Sequence, residues 1–155
     1  MTAPIVSVQT EDFDIGAEIE ALTADDRDIG AVVSFTGLVR EMTGAGAIDT
    51  MELEHYPGMT ERSLEEIAAE AQDRWPLQGV RIIHRFGPLA PGDRIVLVLA
   101  ASRHRQAAFD AAAFLMDYLK TRAPFRKKET GQAGGHWVDA REGDDQAAER
   151  WAKSR

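Results

Sequence analysis

An α+β fold with a mostly antiparallel sheet and packed helices is what this sequence predicts, on three observations. Several short runs are β-branched or alternate apolar with polar residues, the period of a strand. Other stretches repeat apolar residues at helical spacing between helix-stop signals. Finally, helices and strands mix without the strict alternation that a doubly wound parallel sheet needs. The 155 residues suit a single domain over 1–155. At this size roughly 70% of the unfolded surface is buried, so neither a disulfide nor a metal staple is required.

Taken in order, PIVSVQ (4–9) reads as a short strand and IGAEIEAL (15–22) as a short helix with Ile15, Ile19 and Leu22 on one face. GAVVSFTGLVR (30–40) is a strand, and the glycine-rich EMTGAGAIDT (41–50) reads as a loop. MELEHY (51–56) alternates, giving a strand with one wet face, and Pro57-Gly58 ends it. Thr60 is then placed to cap a helix reaching Trp75, with Leu64, Ile67, Ala68, Ala71 and Trp75 inward and Glu65-Glu66 outward. Pro76 stops it. VRIIHRF (80–86) is a strand, GPLAPGD (87–93) a turn, and RIVLVLAA (94–101), apolar on both faces, the central strand.

Ser102 is a plausible cap for the longest helix, 103–121, which is alanine-rich and closed by Pro124. Residues 125–130 and 136–140 read as extended pieces around TGQAGG, and DDQAAERWAK (144–153) as a last helix.

Composition excludes several chemistries. With no cysteine, the chain has no thiol nucleophile, redox pair, thiolate zinc or iron–sulfur cluster of its own, so any sulfur it handles is brought by another molecule. A net charge of −8 disfavours general binding to nucleic acid or anionic membrane. His55, His84, His104 and His136 have no metal-binding spacing, and the glycine runs lack a phosphate-loop context. No metal and no cofactor are expected. The N-terminus lacks the pattern of a secretory signal and no apolar run approaches a membrane span, which makes the cytoplasm the simplest location.

Against this acidic background, MDYLKTRAPFRKKE (116–129) gathers Lys120, Arg122, Arg126, Lys127 and Lys128. A lone lysine at a helix C-terminus is what the helix dipole favours. Five cations within nine residues are either a solvated basic surface or a cluster whose repulsion lowers a lysine pKa and whose charge holds an anion. Arg103, His104 and Arg105 at the helix start oppose the dipole; they are outward and solvated, or they serve an anion at the backbone N–H groups. Arg40 ends a strand beside a loop, as a rim residue or a functional one. Phe35 and Met116 read as core on spacing. His104 and Lys120 are sixteen residues apart on one helix, about 24 Å, so a single small ligand reaches both only across two copies of the chain. A homodimer with a pocket near its interface follows as an expectation. On residues alone the readings are an enzyme using lysine acid–base chemistry, a dimeric sensor of a phosphorylated metabolite, or a single-strand binder using Phe125, the last opposed by the net charge.

FTGLVR (35–40), LEHYPGMTE (53–61), RWPL (74–77), HRFGPLAPGD (84–93), SRHR (102–105), MDYLKTRAPFRKKE (116–129) and HWVDARE (136–142) together resemble the catalytic, large subunit of molybdopterin synthase, the MoaE family. The likeness spans residues 30–151. It implies an α+β fold with a hammerhead-like arrangement. It also implies a sulfurtransferase of molybdenum cofactor biosynthesis that converts cyclic pyranopterin monophosphate to molybdopterin. Sulfur would come from the C-terminal Gly-Gly thiocarboxylate of a small ubiquitin-like partner subunit, in a heterotetramer built on a central homodimer. By resemblance, Lys120 and Lys127 are catalytic. Leu38, Val39, Arg40, His104, Arg105, Lys128 and Glu129 bind the pterin substrate, with Phe35, Met116 and Arg141 as pocket neighbours. Arg126 departs from the family, which often has tryptophan there.

Overall fold

The computed structural model of the chain describes residues 5–43, 46–131, 134–138 and 142–153. The described elements are, in order, β1 (Val6–Gln9), α1 (Ile15–Thr23), β2 (Ala31–Leu38), β3 (Met42–Thr43), β4 (Gly46–His55), α2 (Met59–Arg74), β5 (Leu77–Arg85), β6 (Gly87–Leu89), β7 (Arg94–Ser102), α3 (Arg105–Arg122), β8 (Phe125–Gly131), β9 (Gly134–Val138) and α4 (Glu142–Lys153). The fold is α+β, as its sequence predicts.

Two sheets organise it. The first runs β1-β5-β7-β2, antiparallel except for the β1–β5 pair. The second runs β3-β4-β8-β9, with β6 also paired to β4. β7 is interior to the first sheet and buried from Val96 to Ser102. Its alternate side chains feed two cores. Val96 and Val98 pack with Leu64, Ile67, Phe114, Leu115 and Tyr118 of α2 and α3 on one face; Leu97 and Leu99 pack with Phe13 and Ile83 under α1 on the other. That two-sided burial is why its sequence is apolar throughout. A smaller core of Val39, Met51, Leu53 and Leu89 lies under the second sheet.

α4 is held to this body by polar bonds from α2 and α3, among them Arg74 Nη1 donating to Trp151 O at 2.9 Å. Asp117 of α3 accepts hydrogen bonds from Trp151 Nε1 at 2.6 Å and Arg150 Nη2 at 3.0 Å. The Trp151 ring meets Trp75 and Phe114 edge-on.

Four local expectations are corrected. Residues 41–50 are not a loop where described: β3 and the first half of β4 form a hairpin, and β4 reaches back to Gly46 because β8 offers it a partner strand as far as Gly131. Tertiary pairing overrides the glycine signal there. Gly87–Leu89, read as turn, is strand β6. Thr60 does not cap α2. Gly58, with φ of 83°, stands at the N-cap, a left-handed conformation that glycine adopts without Cβ strain. Thr60, the second residue of α2, is fully buried, and its hydroxyl accepts from Tyr56 N at 3.0 Å and donates to Pro124 O at 3.2 Å. Ser102 does not cap α3. It ends β7 and donates to Pro76 O at 2.9 Å, while His104 takes the N-cap position with no side-chain cap bond.

Candidate functional site

The register of the first sheet decides which site residues can meet. Gly37 of β2, Val96 of β7 and His84 of β5 form one cross-strand row. Ala31, Ser102 and Leu77 form another at the opposite end. The rows are six β2 residues apart, about 20 Å. Leu38, Val39 and Arg40 therefore belong with His84, while His104 and Arg105 follow Ser102 at the far end.

The α3 C-terminus falls at the His84 end. Met116 and Ala123, one turn before and after Lys120, both pack against the core cluster holding Val96, with Val8 also against it. Val8 and Val96 are the row-mates flanking His84 on either side. Lys120 is exposed on that turn and makes no ion pair among the described residues. His84 is buried, its ring stacked on Phe125 at 3.8 Å and 20°. His84 Nδ1 lies 2.9 Å from the Arg85 carbonyl oxygen. A carbonyl only accepts, so Nδ1 carries the proton and Nε2 is left with its lone pair. Burial pushes this imidazole's pKa down to about 4; the bond to the Arg85 carbonyl opposes that, and the Lys120 charge adds to it.

Strand β8 sorts the remaining cations by face. Phe125, Lys127 and Glu129 stand opposite His55, Leu53 and Met51 of β4, on the side of the small core. Lys127 is half-buried and Glu129 buried at 3% exposure. Arg126 and Lys128 alternate to the other face, opposite Glu54 and Glu52. Arg126 pairs with Glu54 at 3.9 Å, a surface ion pair. Arg122 reaches Glu70 at 3.4 Å and lies over the Tyr118 ring at 3.8 Å. The basic stretch thus divides. Arg122 and Arg126 are paired at the surface, Lys128 shares the outer face with Arg126, Lys127 is on the inner face with Phe125, and Lys120 is exposed on the last turn of α3.

Other called residues are placed as follows. Leu38 and Arg40 are exposed at the end of β2. Val39 has its side chain in the small core, and its backbone N and O bond Asp93 O at 2.9 Å and Gly92 N at 2.8 Å. Phe35, read as core on spacing, is 41% exposed, because β2 is an edge strand of its sheet. Met116 is half-buried against the main core. Arg141 lies outside the described residues. His104 and Arg105 are exposed at the α3 N-terminus beside a cavity of about 490 Å³ lined by Pro76, Leu77, Gln78, Arg103, His104 and Gln106. Arg103 is accounted for without an anion: its Nε donates to Asp28 Oδ2 at 2.9 Å, and Nη2 bonds the same oxygen. That bond holds the Asp28 carboxyl below its ordinary pKa and raises the guanidinium in return.

Sequence reasoning missed His84 and the Phe125 stack. The available signal was a histidine inside the apolar run VRIIHRF, where a solvated residue has no place.

The chain is similar to known proteins over most of its length. The family model described as MoaE protein matches residues 8–122. The molybdopterin synthase catalytic subunit of Mesorhizobium japonicum is 60% identical, covering 98% of this chain and 96% of its own. The structure of the molybdopterin biosynthesis MoaE protein from Burkholderia ambifaria superposes with a TM-score of 0.83 at 52% identity, covering 97% of this chain and 99% of its own. A chain from the complex of subunits 1 and 2 of molybdopterin-converting factor from Helicobacter pylori shares the fold at a TM-score of 0.73 and 17% identity, over 89% of this chain and 92% of its own. By both sequence and fold, the chain belongs to the MoaE family of enzyme subunits.

Proposed function

We propose that the protein is the catalytic subunit of a molybdopterin synthase, in molybdenum cofactor biosynthesis. It takes sulfur from the C-terminal Gly-Gly thiocarboxylate of a small ubiquitin-like partner and installs it on cyclic pyranopterin monophosphate, giving the dithiolene of molybdopterin. The observation that carries the reading is the exposed Lys120 on the last turn of α3, at the sheet end where Arg40 is also exposed, with Lys127 on the inner face of β8. The Lys120 amine, which makes no ion pair among the described residues, is available for proton transfer. A cysteine-free chain depends on a donor for its sulfur.

In this reading Lys120 is the general acid/base for opening the cyclic phosphate and moving sulfur, or the transient covalent anchor of the donor's tail. Lys127 positions the substrate and stabilises its charge. Arg40, His104 and Arg105 hold the phosphorylated pterin. The partner is supported by the relative's name, since a catalytic subunit has a fellow subunit. Cytoplasmic residence suits the pathway, and no helix among the described residues is long and apolar enough to cross a membrane.

The pocket is shared between two copies within a heterotetramer. β2 is an edge strand, and its outer edge carries no strand among the described residues. An antiparallel pairing of two β2 edges about a two-fold axis sets the Gly37 end of one copy beside the Ala31 end of the other. His104 and Arg105 of the second copy then approach Arg40 and Lys120 of the first, a meeting that the length of α3 forbids within one chain.

The test is Lys120→Ala assayed with thiocarboxylated partner and cyclic pyranopterin monophosphate. Conversion should fall at least about a thousandfold, as for loss of a central acid–base group, while the fold and partner binding persist. Near-normal turnover would remove the assignment.

A further inference from the structure

The proposal concerns Thr60, a buried hydroxyl in LEHYPGMTE, a stretch to which the reading above gives no task. It rests on that reading for the importance of Lys120 and Lys127, and adds a residue to it. Lys120 stands in the last turn of α3, and Lys127 is the third residue of β8. Only Ala123 and Pro124 lie between the two elements. How that connection is held therefore decides how the lysines are placed. Ala123 N donates to Leu119 O at 3.3 Å, which ties the connection to the helix, and Phe125 N donates to Ala123 O at 3.0 Å. Pro124 has no N–H, so its carbonyl is the one backbone polar group by which it can be anchored.

The β4–β8 ladder shows where the anchor comes from. At this end its last paired residues are His55 and Phe125. Continued by one residue, the register sets Tyr56 opposite Pro124. The Thr60 hydroxyl occupies that step. It accepts from Tyr56 N at 3.0 Å and donates to Pro124 O at 3.2 Å. Thr60 N in turn donates to Tyr56 O at 2.9 Å, so one residue holds both backbone polar groups of Tyr56. Gly58, in the left-handed region, makes the bend that brings Thr60 back to Tyr56. Thr60 is 0% exposed, so water does not replace these bonds, and deleting the hydroxyl strands two buried partners. Branching at Cβ restricts the side-chain rotamer and with it the direction of the hydroxyl.

We propose that Thr60 is a positioning residue for the lysine pair: its hydroxyl is spliced into the β4–β8 ladder one step past the last rung, clamps the Pro124 carbonyl, and so sets Lys120 at the end of a helix against Lys127 on a strand. It acts through the backbone and touches neither lysine. The packing of α2 on α3 and the pairing of β8 with β4 place the two elements. The hydroxyl fixes the joint between them.

The experiment compares full-length wild type, Thr60→Val, Thr60→Ala and Thr60→Ser. Valine keeps the branched shape and loses the hydroxyl. Alanine also loses it with less bulk, and stands in if the valine variant does not fold. Serine keeps the hydroxyl and drops the methyl. In backbone NMR without the hydroxyl, the Tyr56 amide should exchange about tenfold faster or more, and the amide resonances of Lys120, Ala123, Phe125 and Lys127 should move. Serine should stay close to wild type in both. In turnover assays at a temperature where every variant is folded, the hydroxyl-free variants should lose about tenfold in kcat with KM little changed, and serine should return kcat to within about twofold. A residue that only stabilises the fold would lower the melting temperature and leave kcat of the folded protein alone; that result overturns the proposal. Lys120 and Lys127 resonances at their wild-type positions in a folded hydroxyl-free variant overturn it as well. The amide measurements need neither partner nor substrate, so the failure of this joint and the failure of the sulfur-transfer reading are separate results.

Discussion

The two ends of α3 carry cations of the same chemistry in opposite settings. At the C-terminal end Lys120 stands over a built floor: Val8, His84 and Val96 in a row, and Phe125 stacked from the other sheet. At the N-terminal end His104 and Arg105 are exposed beside a cavity, and the neighbouring Arg103 is taken by Asp28 at the surface. The C-terminal end has walls from three elements. At the N-terminal end His104 and Arg105 make no ion pair among the described residues. Cations on one helix therefore do not make one site; the sheet register separates them within a chain, and in the proposed reading a second copy reunites them.

The largest effect should come from breaking that reunion. Lys120→Ala and His104→Ala homodimers should each be nearly inactive. Mixed, dissociated and reassociated in equal amounts, they should recover about one quarter of wild-type activity, because half the dimers are mixed and each mixed dimer holds one intact site. No recovery, with exchange verified by mass, would place both ends in the service of separate sites. A smaller effect sharpens the picture of the buried end. Unfolded histidine titrates near 6.5 and His84 near 4, so between these values the unfolded chain binds the extra proton. Stability should then rise with pH across that window and fall as acid is added, by on the order of 3 kcal/mol in all. Denaturant melts of wild type and His84→Gln at several pH values check this, and the substitution should flatten that part of the profile. The smallest effect belongs to the exposed end. Arg103→Ala breaks the ion pair with Asp28 in full contact with water, and the melting temperature should stay unchanged within error at physiological salt. A large loss there would mean the pair is buried in the assembled protein.

Much of the fold was readable from residues. Central β7 announced itself by having no polar face, and the inward stripe of α2, Leu64, Ile67, Ala68 and Ala71, is buried as its spacing demands. What failed depended on partners distant in sequence. Nothing local in residues 41–50 reveals that β8 will extend β4 through them, and nothing around Thr60 reveals a carbonyl sixty-four residues away at Pro124. The site was readable as composition but not as geometry. A run of five cations hides its own alternation: only the pairing of β8 with β4 shows Lys127 on the inner face and Arg126 and Lys128 opposite two glutamates. The burial of His84 was invisible because its stack on Phe125 joins two strands far apart in sequence and leaves no trace in the spacing of histidines.

Residues 77–89 run from the first sheet into the second with only Phe86 between β5 and β6. The following glycine, Gly87, has a φ of 89° and makes the bend. The Phe86 ring lies 4.0 Å from His55, so the joint is packed as well as short. One uninterrupted segment thus joins the two layers as a short bracket, and the offset between them is a dimension set by covalent chain, not by a loop free to drift.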